Sequence, residues 1–237
     1  MAEGHAPAGQ NRLLSKLPND YYRELAPKLE TVHLELRQIL YESQRPIEHV
    51  YFPINCVLSM LAEMEEDSLV EVATVGNEGM VGLPSFLGAT TTPGMAFSQI
   101  AGEALRMSAT AFLAAKQDSG PFGELLHRYT QALMVQISQG TACNRVHEIA
   151  QRCARWLLLT HDRVGADKFL LTQEFLSQML GVRRATVNDI ALRFQEASYI
   201  EYSRGRIRIL RREKLESASC HCYAVIRDEY ERMLKRD

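Results

Sequence analysis

The chain has 237 residues, 46% of them hydrophobic and 24% charged. That is enough apolar material for one large or two ordinary cores, and no apolar run approaches the ~18–20 residues of a membrane span, so a soluble cytoplasmic protein with no membrane partner is expected. The net charge of −2 hides an asymmetry: residues 1–143 carry 9 Lys and Arg against 16 Asp and Glu, and residues 144–237 carry 18 against 13. An acidic front and a basic back imply separate tasks, with the back half meeting a polyanion.

Residues 1–11 lack the basic and apolar regions of a signal peptide and read as a disordered tail. A helical piece follows at Asp20–Leu29. From Thr31 to Ser108 the chain is mostly strand-like. Val32–Leu36 alternates apolar with polar, Ile47–Phe52 and Cys56–Met64 are apolar-rich runs, and Leu69–Val75 alternates again after a Glu65-Glu66-Asp67 turn. Beyond a Gly-rich segment, Ala96–Ala101 and Glu103–Met107 form a late pair, and Thr110–Gln117 is helical. Many short strands with turns between them predict a β-barrel or jelly-roll module over residues 12–120.

A long helix is predicted over residues 121–144. Phe122, Leu126, Tyr129, Leu133, Ile137 and Gly140 recur at spacings of three and four, the pattern of a helix-pairing seam and hence of a homodimer. Packing of the same stripe on the chain's own barrel is the competing reading. A second helix, Arg145–Asp162, carries Ile149, Cys153, Trp156, Leu157 and Leu159 as the floor of a second domain over residues 145–237. The hinge is expected near Cys143–Arg145.

Leu171–Phe194 reads as two short amphipathic helices joined by a tight turn. Phe175, Leu176, Met179 and Leu180 make the apolar face of the first, Thr172 stands at its N-cap, and Gly181 follows its last apolar residue. The second runs from about Arg183 with Val187, Ile190, Ala191 and Phe194 inward. Arg183, Arg184, Thr186, Asn188 and Asp189 are left on the outer face. This is the layout of a helix-turn-helix whose second helix enters the major groove of double-stranded DNA. Tyr199–Tyr202 and Arg206–Ile209 then alternate around Ser203-Arg204-Gly205, predicting a two-stranded wing with Arg204, Arg206 and Arg208 as a phosphate clamp.

The remainder, Glu213–Lys235, reads as one helix. Cys220, His221 and Cys222 within it carry the alternative function, a thiol- or metal-dependent redox sensor or enzyme. However, i,i+2 side chains do not share a helical face, so a structural role is expected there. The five cysteines are odd in number and scattered, without the C-x-x-C pairs of zinc sites. No metal and no cofactor is expected. Nor is an enzyme, since no Ser-His-Asp arrangement, G-x-S-x-G, P-loop or H-E-x-x-H occurs.

The strand-rich module, long helix and winged helix-turn-helix together resemble the cAMP receptor protein/FNR family of bacterial transcription regulators over about residues 12–215. The resemblance is most specific at Thr172-Gln173-Glu174 and Leu180–Val187. It implies an α+β fold with an N-terminal cyclic-nucleotide-binding-like β-roll (jelly roll), a long dimerisation helix and a C-terminal winged helix-turn-helix. It also implies a homodimer on an inverted-repeat operator, with RNA polymerase as the partner needed for activation. Arg184 corresponds to an arginine that reads guanine through O6 and N7. Thr186, Thr172 and Gln173 correspond to backbone-phosphate contacts. Arg183 replaces a helix-capping serine and so becomes a phosphate contact, while Asn188 is a candidate for pairing with adenine. Ala185 and Asp189 depart from the family's reading residues, so the DNA motif should differ.

The effector site departs further. Leu83 stands where cyclic-nucleotide binders of this family have a ribose-binding glutamate, and Thr92-Pro93-Gly94-Met95 covers the place of their phosphate-binding arginine. Gly76 to Ala101 contains no Arg or Lys. Glu78 would then lack a cation beside it, and a buried cyclic phosphate would be unpaired. A degenerate sensor that does not take cAMP is expected, with its effector unknown and Gly76–Pro84 acting as a structural turn. Iron–sulfur sensing needs about four clustered thiolates, and none of His33, His49 and His127 is singled out as a haem ligand.

Overall fold

The computed structural model describes residues 11–65, 69–116 and 120–235. The tail up to residue 10, Glu66 and Asp67 of the expected turn, and Gln117 lie outside the described residues. After α1 (Asn19–Leu25), seven strands follow: β1 (Glu30–Leu34), β2 (Ile39–Tyr41), β3 (His49–Pro53), β4 (Val57–Glu63), β5 (Leu69–Val75), β6 (Gly94–Ile100) and β7 (Gly102–Ser108). They form two antiparallel sheets, ordered β1-β7-β3 and β2-β6-β4-β5. The short β2, three residues long, is the strand that alternation did not reveal. β3 is buried on both faces: Tyr51 points into the roll with Leu34, Tyr41 and Val75, while Val50 and Phe52 join the larger core under the helices. Burial on both sides explains why its sequence is a continuous apolar run. A short α2 (Leu83–Phe86) links β5 to β6, and α3 (Ala109–Ala115) follows β7.

The long helix, α4, spans Pro121–Val146. Its expected dimer seam is corrected by the structure, because Phe122, Leu126, Tyr129 and Leu133 are buried by the chain itself. The Phe122 ring lies 5.7 Å from Phe112 and 6.4 Å from Phe52. Tyr129 donates its hydroxyl to the Met80 carbonyl at 2.7 Å. The roll exposes an apolar outer face that must be covered, and this stripe covers it. Ile137 is only partly buried against the same core, and a Cβ on Gly140 would meet open space. The face of α4 turned away from the roll carries Gln131, Met134, Ser138, Thr141, Ala142 and Arg145.

α5 spans Ile149–Val164, so the break falls at His147–Glu148; Cys143–Arg145, the expected hinge, lies inside α4. Glu148 and Gln151 form a capping box that restarts the helix there. β8 (Lys168–Leu170), α6 (Gln173–Leu180), α7 (Arg184–Glu196), β9 (Ile200–Ser203) and β10 (Arg206–Ile209) complete the winged helix-turn-helix. Its strands order as β8-β10-β9.

The C-terminal stretch is two helices, α8 (Arg212–Ala218) and α9 (Cys222–Leu234). The break at Ser219–His221 lets Cys220 and Cys222 both turn inward, which a single helix would have forbidden. α9 returns to α4, with Tyr230 6.5 Å from Tyr129 ring to ring and Arg128 donating to the Lys235 carbonyl. The architecture is the expected α+β one of β-roll, long helix and winged helix-turn-helix. Among the described residues, no helix is long and apolar enough to cross a membrane.

Candidate nucleic-acid interface

Local chemistry sets the geometry of α6 and α7. Thr172 Oγ1 accepts the Phe175 amide at 3.1 Å, capping α6. Gly181 ends it at φ 65°, a left-handed conformation that costs glycine least. Val187, Ile190, Ala191 and Phe194 seat α7 on the core, as their spacing predicts. That fixes the opposite face: Arg183 and Arg184 are exposed, and Thr186 and Asn188 are half-buried.

The wing is tied to both helices. Tyr202 donates its amide to Gln195 Oε1 of α7 at 2.7 Å. Its hydroxyl donates to the Leu171 carbonyl, just before α6, also at 2.7 Å. Burial pushes this phenol up to about 12 despite the nearby Arg184 charge, so the hydroxyl keeps its proton. The turn places Arg204 at φ 52° and Gly205 at φ 74°, both left-handed, as a tight two-residue hairpin of this hand requires.

These ties bring Thr172, Gln173, Arg184, Asn188 and Arg204 around one groove between the helices and the wing. Gln173 Nε2 donates to Asn188 Oδ1 at 3.1 Å, so the two amides orient one another across the motif. Arg206 lies elsewhere, on the other side of the wing with Lys168, Arg204 and Arg208. Lys168 belongs to β8, which pairs it with Arg208. Three residues of Lys-Phe-Leu were too little alternation to mark that strand. Among the described residues, the side chains of Arg183, Arg184, Arg204, Arg206 and Arg208 form no ion pair or hydrogen bond.

A different chemistry joins this head to the roll. Arg163, on α5, is 3% exposed and reaches into the Gly-rich segment. Its Nε donates to Glu78 Oε1 at 2.7 Å, one terminal nitrogen to Gln136 Oε1 of α4 at 3.0 Å, and the other to Thr74 Oγ1 of β5. Glu78 therefore does have a cation, supplied from α5 rather than from its own segment. A Cβ on Gly76 would overlap Arg163, and one on Gly79 would overlap Tyr129. These two glycines are there for close approach. Trp156 of α5 also faces the roll rather than the floor of its own domain, donating to Glu71 Oε1 at 2.8 Å. Phe97 and Phe175 meet edge-on at 5.9 Å across the same junction.

The cysteines gather in an unexpected way. Cys220 and Cys222 are brought against Cys143 and His147 at the end of α4, whereas His221 supplies no atom to that group. His221 instead packs its ring edge-on against His147.

Residues 151–218 match the model of the Crp-like helix-turn-helix domain. No curated protein matches the chain. Among solved structures, a protein described as a Crp/Fnr-family transcriptional regulator of Eubacterium rectale aligns with a TM-score of 0.65 at 16% identity, over 87% of this chain and 96% of its own. FixK2 of Bradyrhizobium japonicum gives 0.68 at 14% identity, over 81% and 98%. The c-di-GMP-responsive global regulator CLP of Xanthomonas campestris gives 0.62 at 12% identity, over 81% and 99%. At these identities the likeness is one of fold.

Proposed function

Because the chain has the Crp/Fnr fold and carries a Crp-like helix-turn-helix domain, we propose that it is a cytoplasmic, homodimeric, sequence-specific DNA-binding transcription regulator and not an enzyme. One observation carries the reading. Arg184 stands at the start of α7 beside Gln173, Asn188 and Arg204, exposed and without an internal partner. An exposed guanidinium on a rigid helix matches the O6 and N7 acceptors of guanine in the major groove. Thr172, Arg183, Thr186, Arg204 and Arg206 take phosphates, which position the protein without reading sequence. Asn188 already shares its Oδ1 with Gln173, so pairing with adenine requires both amides to move together.

Residues 12–120 are the sensor module, α4 the dimerisation helix, and the chain from His147 onward the DNA-binding head. A second copy packs on the face of α4 bearing Met134, Ser138 and Ala142, the roll having taken the other face. Activation adds RNA polymerase as a partner. The sensor does not take cAMP: the cation that a cyclic phosphate would need, Arg163, is already held by Glu78, Gln136 and Thr74.

The test is selection of bound duplexes from a random pool by the purified protein without added ligand. An inverted repeat with half-site centres about one helical turn apart, ~34–36 Å, is the expected result. Absence of any enriched sequence, both alone and in cell extract, overturns the DNA-binding reading. A rise in affinity on adding cAMP overturns the sensor reading.

A further inference from the structure

Cys143 and His147 lie one helical turn apart where α4 ends, and Cys220 and Cys222 flank His221 in the link from α8 to α9. The fold closes these two pairs on each other. Cys143 Sγ is 3.4 Å from Cys220 Sγ, Cys222 Sγ is 3.5 Å from His147 Nδ1, and all four donor atoms lie within 4.8 Å of one another. The three cysteines are buried and free, and the histidine is half-buried. We propose that these four side chains form a structural zinc site, Cys143, His147, Cys220 and Cys222, which fastens the C-terminal helix to the end of α4.

The geometry suits that ion. Zinc bound at ~2.3 Å to sulfur and ~2.0–2.1 Å to nitrogen places its tetrahedral ligands roughly 3.5–3.8 Å apart, so the donors need only small shifts. A disulfide between Cys143 and Cys220 would require ~2.05 Å between sulfurs. It would also leave Cys222 and His147 gathered for no purpose. The surroundings match as well. Gln139 Nε2 donates to Cys222 Sγ at 3.0 Å, the outer-shell bond that orients a thiolate ligand. On binding, the three thiols give their protons to solvent and the imidazole binds neutral, so the occupied site carries one net negative charge. Arg155 faces Cys143 and Cys220 electrostatically, is almost fully buried, and its Nε has no hydrogen-bond partner. It supplies the balancing positive charge. All four ligands lie outside residues 151–218, the span matched by the helix-turn-helix model, so the site belongs to what this chain adds to that domain.

The experiment uses the full chain, purified under reducing conditions without metal-affinity resin or chelator. Elemental analysis should find one zinc per chain. Replacement by cobalt(II) should give thiolate-to-metal charge transfer and the intense visible bands of a tetrahedral ion. Cys222→Ser and His147→Ala should lose most of the metal. Cys153→Ser, a buried cysteine outside the group, should keep it. His147→Cys should retain metal with a shifted cobalt spectrum, which covers the case in which removal of a ligand prevents folding. Stripping zinc from the wild-type protein should lower its Tm, with recovery on adding zinc back. Wild-type protein that holds no zinc and gives no tetrahedral cobalt spectrum overturns the proposal. So does undiminished metal in Cys222→Ser, or a Cys143–Cys220 disulfide in protein alkylated at lysis.

Discussion

Arg163 and Arg184 stand on two helices of the same basic half, and they are opposites. Arg163 is sealed between α5 and the roll, with each of its three nitrogens hydrogen-bonded. Arg184 is exposed at the start of α7, on a scaffold whose every other tie is internal. Net charge counts them equally. Their surroundings assign one to architecture and leave the other for a ligand, so the excess charge of the back half overstates what is presented to a polyanion.

Removing each side chain separates the two roles. Arg163→Ala strands the buried Glu78 carboxylate, and breaking a buried pair from one side costs about 3–5 kcal/mol. Urea denaturation should show that loss directly. Arg184→Ala, in contrast, should leave stability within about 0.5 kcal/mol. Its effect belongs to binding: a loss of roughly 1–3 kcal/mol confined to one base pair of the selected site. Titration against the site and its single-base variants decides this. An equal loss on random DNA would make Arg184 a phosphate contact.

The wing gives a smaller effect of a different kind. Arg204 borders the grooves on both sides of the hairpin and Arg206 the one with Lys168 and Arg208, and each should contribute about one unit to the slope of log K against log salt. Arg204→Ala and Arg206→Ala should each flatten that slope while leaving base preference unchanged. A wing substitution that changes base preference would merge the two kinds of contact that the comparison keeps apart.

The same division explains what the sequence shows and what it conceals. Thr172, Gly181 and the apolar positions of α6 and α7 declare the helix-turn-helix because caps and periodicity act over a few residues. The strands are visible for the same reason, except β2 of the roll and β8 of the wing, each three residues long. The stripe on α4 was legible as a buried face but not as to what buries it, since a roll and a second helix both demand apolar cover. The start of α5 was hidden because its cap is Glu148 rather than a serine or threonine. The break before α9 has no glycine or proline to announce it. Arg163 with Glu78, and Cys143 with Cys220, join residues 85 and 77 positions apart. No local pattern carries such pairs; only the docking of α5 and α9 on the roll and α4 creates them.

One tie between head and roll should be tuned by pH. Glu71 accepts from Trp156 Nε1 at 2.8 Å and from Ser59 Oγ at 2.9 Å. Burial nevertheless pushes its carboxyl from 4.5 up to about 7, with those hydrogen bonds and the Arg163 and Arg155 charges acting in the opposite direction. The sign follows from proton counting. Between 4.5 and about 7 the folded chain holds a proton that the unfolded chain has released, so stability falls as pH rises through that window. In the middle of that window nearly one whole proton separates the two states, so the slope is about 1.2 kcal/mol per pH unit, and roughly half that at either end. Trp156 is the only tryptophan in the chain, so its fluorescence reports this contact alone. Emission should titrate near pH 7 in the wild type and lose that transition in Glu71→Gln, whose amide oxygen can still accept from Trp156 and which cannot ionise. A transition that survives in Glu71→Gln would place the titrating group elsewhere.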